Sequence, residues 1–185
     1  MEHYYKSVVG FFTYPKFYSD MVKRFNKATF VELGSLGGQS AAYMGVEIIN
    51  SSKEIKLICV DAFDEDHLIK ENLNIDFLKN RTFFETFKKN INPVKEAVGF
   101  KKGYSIDIVR EFEDDSIDMI FIDADHDYGP VKTDITVWYP KVKKGGIMAG
   151  HDYAWEGVKK ALDETFGDRV NLKYVDEFVW YVEKI

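Results

Sequence analysis

The chain has 185 residues, of which 45% are hydrophobic and 16% aromatic, so it is most simply one domain (residues 1–185) with a buried core. Its net charge of −6, with no dense block of Lys and Arg, argues against nucleic acid as a partner. Cys59 is the one cysteine, which excludes an internal disulfide, and no apolar run reaches the roughly 20 residues of a membrane span. We therefore expect a cytoplasmic protein with no membrane partner.

The first 28 residues are rich in Tyr, Phe and Lys and predict a helical extension of the domain. Apolar side chains recur there at helical spacing and Pro15 suits a first turn, so we expect an amphipathic helix from Pro15 to about Asn26. Its apolar face is expected to pack on the edge of the domain. A substrate-facing role is the alternative for three aromatic residues: Tyr4, Tyr5 and Tyr14.

A glycine-rich turn follows the first predicted strand, residues 29–33, and opens a helix predicted for residues 38–50. The acid at the strand end and the glycines of the turn are Glu32, Gly34, Gly37 and Gly38. A dinucleotide-binding turn would have its second glycine where this sequence has Ser35. The strand-end acid would also repel a pyrophosphate, so the turn suits a ligand with cationic groups. An ordinary strand–helix turn is the alternative.

The second predicted strand, residues 55–60, is a short apolar run that ends at Asp61. An acid that closes the second strand of such a unit is placed to bind ribose hydroxyls, with a helix cap as the alternative. Residues 62–96 predict either a lid or substrate pocket, or a helix with connecting loops over the sheet. Within them we expect a polar helix from about His67. A second helix would end before Pro93 with a shared apolar face: Phe77, Phe84, Phe87 and Ile91.

Two further apolar strands end in groups of ionisable side chains. Residues 116–122 precede Asp123, Asp125 and His126, and residues 146–150 precede His151 and Asp152. Because ligands bind outside the carboxyl ends of parallel strands, we expect these side chains at one rim of the sheet. Carboxylates so placed need a proton or a cation between them, and oxygen ligands favour Mg²⁺, Ca²⁺ or Mn²⁺, while imidazole widens the choice towards Fe or Zn. Solvated loop acids and helix caps are the alternative.

The remaining segments complete an α/β pattern. A third strand is predicted at residues 97–101, before a helix from Ser105 to about Phe112. A helix between Trp155 and Phe166 precedes two strands of a hairpin, residues 170–175 and 178–183. The predicted fold is therefore a doubly wound, mostly parallel seven-stranded sheet with a C-terminal antiparallel hairpin.

These motifs together resemble class I S-adenosylmethionine-dependent methyltransferases, and among them the class-24 subgroup, to which sugar O-methyltransferases are related. The similarity rests on E-x-G-x-x-G-G after the first strand, F-I-D-A-D-H-D-Y after the fourth and K-x-G-G-x-x-x-G-H-D-Y around the fifth, and spans about residues 29–153. There is one departure. Metal-dependent sugar methyltransferases commonly have two adjacent acids after the fifth strand, and here the first position is His151.

The resemblance implies S-adenosylmethionine as the methyl donor, with its amino-acid end held by Glu32 through the turn, its ribose by Asp61 and its adenine near Tyr104 and Ser105. The N-cap of the following helix is the alternative role of Ser105. The implied cofactor-binding residues are Glu32, Gly34, Ser35, Gly37, Gln39, Ser40, Asp61, Ala62, Tyr104, Ser105 and Asp123.

The resemblance also implies how the acidic rim acts. Asp123 and Asp152 would bind Mg²⁺ or another divalent metal together with His151, and Asp125 or His126 would be the catalytic base. The expected reaction is in-line methyl transfer to a hydroxyl of a small molecule, either sugar-like or a natural product.

Two other classes of function stay open. Asp123-Ala-Asp125 matches the D-x-D motif of metal-dependent glycosyltransferases, and a methyltransferase-like protein could hold the cofactor without turnover. The oligomeric state is also open, with a homodimer among the options.

Overall fold

The structure is a computed structural model that describes residues 1–70 and 75–185. Across these ranges it contains one seven-stranded sheet. The strands are β1 (Lys27–Leu33), β2 (Glu54–Asp61), β3 (Val98–Lys102), β4 (Ile117–Ile122), β5 (Val142–Gly150), β6 (Asn171–Tyr174) and β7 (Val179–Glu183). The helices are α1 (Pro15–Arg24), α2 (Gln39–Ser51), α3 (Glu65–Lys70), α4 (Asp76–Lys79), α5 (Phe83–Ile91), α6 (Ser105–Ile108), α7 (Tyr128–Trp138) and α8 (Glu156–Phe166).

The sheet has the strand order β3-β2-β1-β4-β5-β7-β6. The first five strands in that order are parallel, and β7 runs antiparallel to both β5 and β6. The predicted doubly wound fold with its antiparallel hairpin is therefore confirmed. The chain reverses its winding direction between β1 and β4, which is where ligands bind in open α/β sheets.

Strand register decides which loops meet at this point. Leu33 of β1 lies beside Ile122 of β4, and Ile122 lies beside Gly150 of β5. The residues that follow these three positions therefore leave the sheet side by side. In this way Gly34, Asp123 and His151 are gathered at one edge from distant parts of the sequence.

Apolar side chains cover both faces of the sheet, as alternation along buried strands requires. Phe30 and Phe121 belong to one core layer, and their neighbours Val31 and Ile120 belong to the other. Helix α1 lies over the first layer, where the ring centroid of Phe17 is 5.5 Å from that of Phe121 in the central strand β4. The N-terminal helix therefore covers the middle of the sheet and not its edge, contrary to the sequence-based expectation.

Other differences from the sequence-based prediction are local. The single helix expected to carry Phe77 and Phe87 is two helices, α4 and α5, because Arg81 adopts a left-handed backbone conformation (φ +57°) between them. Strand β5 begins at Val142, four residues before the predicted start at residue 146, and this added part lies beside a register shift. The helix after Ser105 is shorter than predicted and ends in a 3-10 turn.

Part of the segment expected as a lid, residues 71–74, lies outside the described residues. Among the helices that the structure does describe, none combines the length and apolar character needed to cross a bilayer.

Candidate active site

A cavity of about 770 Å³ opens at the carboxyl ends of β1, β2, β3, β4 and β5. It brings together thirteen of the fifteen residues that the sequence analysis predicted for the site. They are Gly34, Ser35, Gln39, Ser40, Asp61, Ala62, Tyr104, Ser105, Asp123, Asp125, His126, His151 and Asp152. The two predicted residues outside the lining are Glu32 and Gly37.

The floor of the cavity is the turn after β1. The Gly34 amide donates to the Val60 carbonyl (3.0 Å), so the turn is fastened to β2. Gly34 has φ +80°, and a Cβ placed on it would lie 2.2 Å from the carbonyl oxygen of Asp123. Glycine is therefore required here both by the backbone conformation and by the close approach of the loop after β4.

Glu32 lies beneath this turn and is completely buried. Its carboxylate accepts hydrogen bonds from the Tyr18 hydroxyl (2.5 Å) and the Ser35 hydroxyl (2.6 Å). Burial raises the pKa of Glu32 to about 7, although these two donors oppose the shift. Glu32 therefore does not contact a ligand in the cavity directly, and it acts on the cavity through Ser35.

Asp61 lines the cavity and also shapes the glycine turn. Its Oδ2 accepts hydrogen bonds from the amides of Ser35 (2.8 Å) and Leu36 (3.2 Å), and its Oδ1 accepts one from Phe63 (2.7 Å). Burial raises the pKa of Asp61, and these backbone donors offset part of that rise. Because each carboxylate oxygen has two lone pairs, Oδ1 keeps one acceptor position for a ligand hydroxyl.

The far end of the cavity is formed by the loop after β3 and by α7. Tyr104 is 56% exposed, and its hydroxyl donates to Asp64 Oδ2 (2.5 Å). Ser105 donates its hydroxyl to Oδ1 of Asp134, a residue of α7. Asp134 is only 6% exposed, and burial raises its pKa to about 6.

Two carboxylates and two imidazoles meet at the opposite end of the cavity. Asp152 Oδ2 lies 2.7 Å from His126 Nε2 and 3.0 Å from His151 Nδ1. Asp123 turns its Oδ1 towards the same imidazoles, at 4.0 Å and 3.8 Å, and its Oδ2 accepts a hydrogen bond from the Tyr14 hydroxyl (2.7 Å). These contacts form one connected group of ionisable side chains.

Mutual contacts shift the pKa values of this group. Burial alone would raise the pKa of Asp152, but hydrogen bonds from His126 and His151 outweigh it and hold that pKa well below its usual value. The hydrogen bond to Asp152 in turn raises the pKa of His126. Burial raises the pKa of Asp123, because its imidazole neighbours and Tyr14 compensate for only part of the lost hydration.

The geometry also bears on which side chains could hold a metal ion. Asp123, His126 and Asp152 each offer a ligand atom, and these atoms lie within 4.8 Å of one another. Two oxygens and one nitrogen suit a divalent ion, and the imidazole favours Mn²⁺, Fe²⁺ or Zn²⁺ over Mg²⁺. His126 belongs to this group of three, although it was predicted as a base. His151, predicted as a ligand, also faces the acids with its Nδ1, 3.0 Å from Asp152 Oδ2, while its Nε2 lies 2.8 Å from the Thr13 hydroxyl.

The family model of a methyltransferase domain, class 24, matches residues 31–153. This range includes the glycine turn after β1 and the ionisable residues that follow β4 and β5. This match covers more than half of the chain. The chain belongs to the class-24 methyltransferase family. The family assigned from the sequence motifs is therefore confirmed.

Known proteins resemble this methyltransferase in sequence and in fold. The uncharacterized protein R132 of Acanthamoeba polyphaga mimivirus is 29% identical over 126 residues, which are 68% of this chain and 51% of that protein. The match thus spans about half the length of the viral protein.

Solved structures share the fold at lower identity. The O-methyltransferase of Bacillus cereus in complex with SAH superposes with a TM-score of 0.67 at 17% identity, over 96% of this chain and 84% of that one. The O-methyltransferase NovP gives 0.65 at 19% identity, over 93% and 79%. CalS11, a TDP-rhamnose 3′-O-methyltransferase, gives 0.59 at 15% identity, over 89% and 76%.

Several residues of the methyltransferase cavity were not identified from the sequence. Asp134 is a polar residue within the apolar stripe of α7, three positions after buried Val131, and that interruption was a usable signal. Phe11 and Trp155, which are 66% and 56% exposed, also line the cavity. Trp155 lies with its ring 4.8 Å from that of His126. Sequence spacing carried no signal for these two exposed rings.

Proposed function

We propose that this methyltransferase transfers a methyl group from S-adenosylmethionine to a hydroxyl of a small acceptor, either sugar-like or a natural product, with the help of a divalent metal. One observation carries the proposal. A single continuous cavity joins the glycine turn and Asp61 at one end to Asp123, His126 and Asp152 at the other. A methyl donor and a hydroxylated acceptor could therefore meet inside it.

The cofactor half of the cavity supports a cationic, phosphate-free ligand. Gly34 and Ser35 present backbone at close range, and Asp61 retains a lone pair for a ribose hydroxyl. The sulfonium and ammonium groups of S-adenosylmethionine would be favoured near carboxylates, whereas a pyrophosphate would be repelled. The bound SAH of the Bacillus cereus O-methyltransferase is in line with this assignment.

In the proposed reaction, the acceptor oxygen forms a bond to the methyl carbon while the carbon–sulfur bond breaks, and the hydroxyl proton moves to a base. His126 is suited to take the proton when its ring is neutral, because Asp152 orients it and stabilises the imidazolium that forms. In the metal-assisted reaction, where His126 would bind the ion, Asp125 is the base, and it also lines the cavity.

A divalent ion held by Asp123, His126 and Asp152 would act as a Lewis acid that lowers the pKa of the acceptor hydroxyl. The side chains themselves position the acceptor. The exposed ring of Trp155 beside His126 is placed to stack on a sugar or aromatic ring.

The glycosyltransferase alternative is less well supported. Asp123 and Asp125, its D-x-D pair, line the cavity, but so do Asp61, Asp64 and Asp134. Among the described lining residues there is no Lys or Arg to balance the diphosphate of a nucleotide sugar. The CalS11 enzyme is a methyltransferase that acts on a TDP-sugar. Nucleotide sugars should therefore be tested in two ways: as methyl acceptors, and as ligands whose binding without S-adenosylmethionine would indicate a glycosyltransferase.

Calorimetric titration with S-adenosylmethionine and S-adenosylhomocysteine, with Mg²⁺ or Mn²⁺ and with chelator, tests the cofactor assignment. Micromolar binding is expected. Turnover of an acceptor panel, followed as S-adenosylhomocysteine, should then be lost in Asp152→Asn while cofactor affinity is kept. Binding of a uridine-diphosphate sugar without S-adenosylmethionine would contradict the proposal. Cofactor binding without any product would indicate the non-catalytic alternative.

A further inference from the structure

Tyr14 contacts one of the candidate metal ligands from outside the region that the family model matches, which begins at residue 31. Its hydroxyl donates a hydrogen bond to Asp123 Oδ2 (2.7 Å). In the described parts of the chain, no other group donates a hydrogen bond to the Asp123 carboxylate. The orientation of that carboxylate therefore depends on a residue that has no role in the reaction above.

The ring of Tyr14 is fixed by close packing. It is only 1% exposed, and its centroid lies at most 5.0 Å from those of four other rings, which belong to Phe12, Tyr18, Phe121 and His151. Packing of this density holds a side chain in one rotamer. The backbone of Asp123 is fixed as well, because its amide donates to the Leu33 carbonyl of β1 (2.8 Å). The donor and the chain that carries the acceptor are thus both held in place.

The hydrogen bond from Tyr14 decides which oxygen of Asp123 faces the imidazoles. With Oδ2 directed at Tyr14, Oδ1 is the oxygen that faces His126 Nε2 (4.0 Å) and His151 Nδ1 (3.8 Å). The terminal torsion of an aspartate has a broad energy minimum, so this carboxylate would rotate more freely without the Tyr14 hydroxyl. Loss of the hydrogen bond would therefore spread the ligand oxygen over several positions.

We propose that Tyr14 is a positioning residue for the metal, which holds Asp123 Oδ2 so that Oδ1 remains as the oxygen for a divalent ion shared with His126 and Asp152. The inference rests on the proposed function, since it takes a divalent ion as the ligand of these three side chains. Residues that orient metal ligands through hydrogen bonds typically change metal affinity by about 10–100-fold when they are substituted.

Tyr18 offers a matched control. It is a second buried tyrosine, four residues later, and its hydroxyl also donates to a carboxylate. Its partner is Glu32 beneath the glycine turn, which is not one of the three candidate metal ligands. Tyr14→Phe and Tyr18→Phe each remove one hydroxyl and keep the ring that packs. Both substitutions should move the midpoint of urea unfolding to a lower concentration.

The test measures the affinity of the folded proteins for Mn²⁺, from the electron paramagnetic resonance signal of the free ion, without and with saturating S-adenosylhomocysteine. Tyr14→Phe should bind Mn²⁺ more weakly than the wild type by about tenfold or more, whereas Tyr18→Phe should keep the wild-type affinity. A purely structural role of Tyr14 would lower the stability of the variant and leave its Mn²⁺ affinity unchanged. That result, or equal weakening in both variants, would overturn the inference.

Failure of the proposed function gives a different result. If the wild-type protein binds no Mn²⁺ under either condition, the proposed help of a metal is overturned, and the positioning role of Tyr14 with it. If the wild type binds Mn²⁺ and Tyr14→Phe binds it equally well, the metal is retained and only the role of Tyr14 is overturned.

The wild-type protein provides a second measurement if Tyr14→Phe does not fold. Mn²⁺ bound at Asp123 would draw electron density from the carboxylate and weaken the hydrogen bond that Tyr14 donates, which shifts the near-ultraviolet absorption of the phenol. Among the tyrosines that the structure describes, Tyr14 is the one whose hydroxyl donates to a candidate metal ligand. Saturation with Mn²⁺ should therefore change the tyrosine difference spectrum of the wild type and of Tyr18→Phe alike. An unchanged tyrosine band at saturation would overturn the inference.

Discussion

Replacing the buried Glu32 by Gln should remove a defined part of the pH dependence of stability. The usual pKa of this carboxyl, 4.5, describes the unfolded chain, and burial raises it to about 7 in the folded protein. The folded state therefore binds the proton more tightly than the unfolded state over this interval. The resulting stabilisation is complete below pH 4.5 and is lost as the pH rises through about 7.

The size of the effect follows from the two pKa values. At pH 5 the unfolded chain has already lost most of this proton, whereas the folded protein keeps it until the pH approaches about 7. Integrating the difference gives a decrease of about 2.5 kcal/mol in the free energy of unfolding, attributable to Glu32 alone. Glu32→Gln cannot ionise, so its stability should lack this decrease.

The measurement is urea unfolding of the wild type and Glu32→Gln at several pH values from 5 to 8, without ligand. The two imidazoles of the rim titrate in both proteins, so only the difference between the curves is used. Glu54→Gln is the control, because this glutamate of the same sheet is 76% exposed and should give a curve parallel to that of the wild type. Parallel curves for Glu32→Gln as well would refute the reasoning.

Three other substitutions probe separate contacts. In Gly34→Ala the added Cβ would lie 2.2 Å from the carbonyl oxygen of Asp123. The substitution should therefore lower the free energy of unfolding by more than about 2 kcal/mol and prevent cofactor binding in calorimetry, and an unchanged cofactor affinity would contradict this. Tyr14→Phe should cost about 1–2 kcal/mol in urea unfolding, since it removes a donor to Asp123, whereas Tyr104→Phe at an exposed ring should cost almost nothing. Trp155→Ala should raise the acceptor KM roughly fivefold and leave cofactor affinity unchanged; an unchanged KM would exclude a stacking role.

The fold could be predicted from the sequence because its signals are local. Apolar runs that end in Asp61 and Asp123 mark buried parallel strands, and the glycine turn marks the first crossover. Parallel strands then bring their carboxyl ends together whatever the details of the loops. The break between α4 and α5 depends on a single residue, Arg81, which has a left-handed backbone conformation. The periodicity of apolar residues does not predict such a break.

The details of the site depend on contacts between distant residues, which sequence spacing does not encode. Glu32 was predicted to act through the glycine turn, but spacing gave no sign of the hydrogen bond that this strand residue accepts from Tyr18 of helix α1. His126 and His151 come from different loops, yet both rings contact the same Asp152 oxygen. The orientation of these side chains is determined by packing between elements that are distant in the sequence. The roles assigned to these residues stay predictions until the variants are measured.

The N-terminal segment connects both halves of the cavity, although it lies outside the family match, which begins at residue 31. The Tyr18 hydroxyl donates a hydrogen bond to Glu32 beneath the glycine turn. The Tyr14 hydroxyl, four residues earlier, donates one to Asp123 at the other end of the cavity. Thr13 contacts His151 from the same segment. Because one short stretch contacts both halves, a shift of α1 would alter them together. The N-terminal segment is therefore structurally linked to both halves of the candidate site.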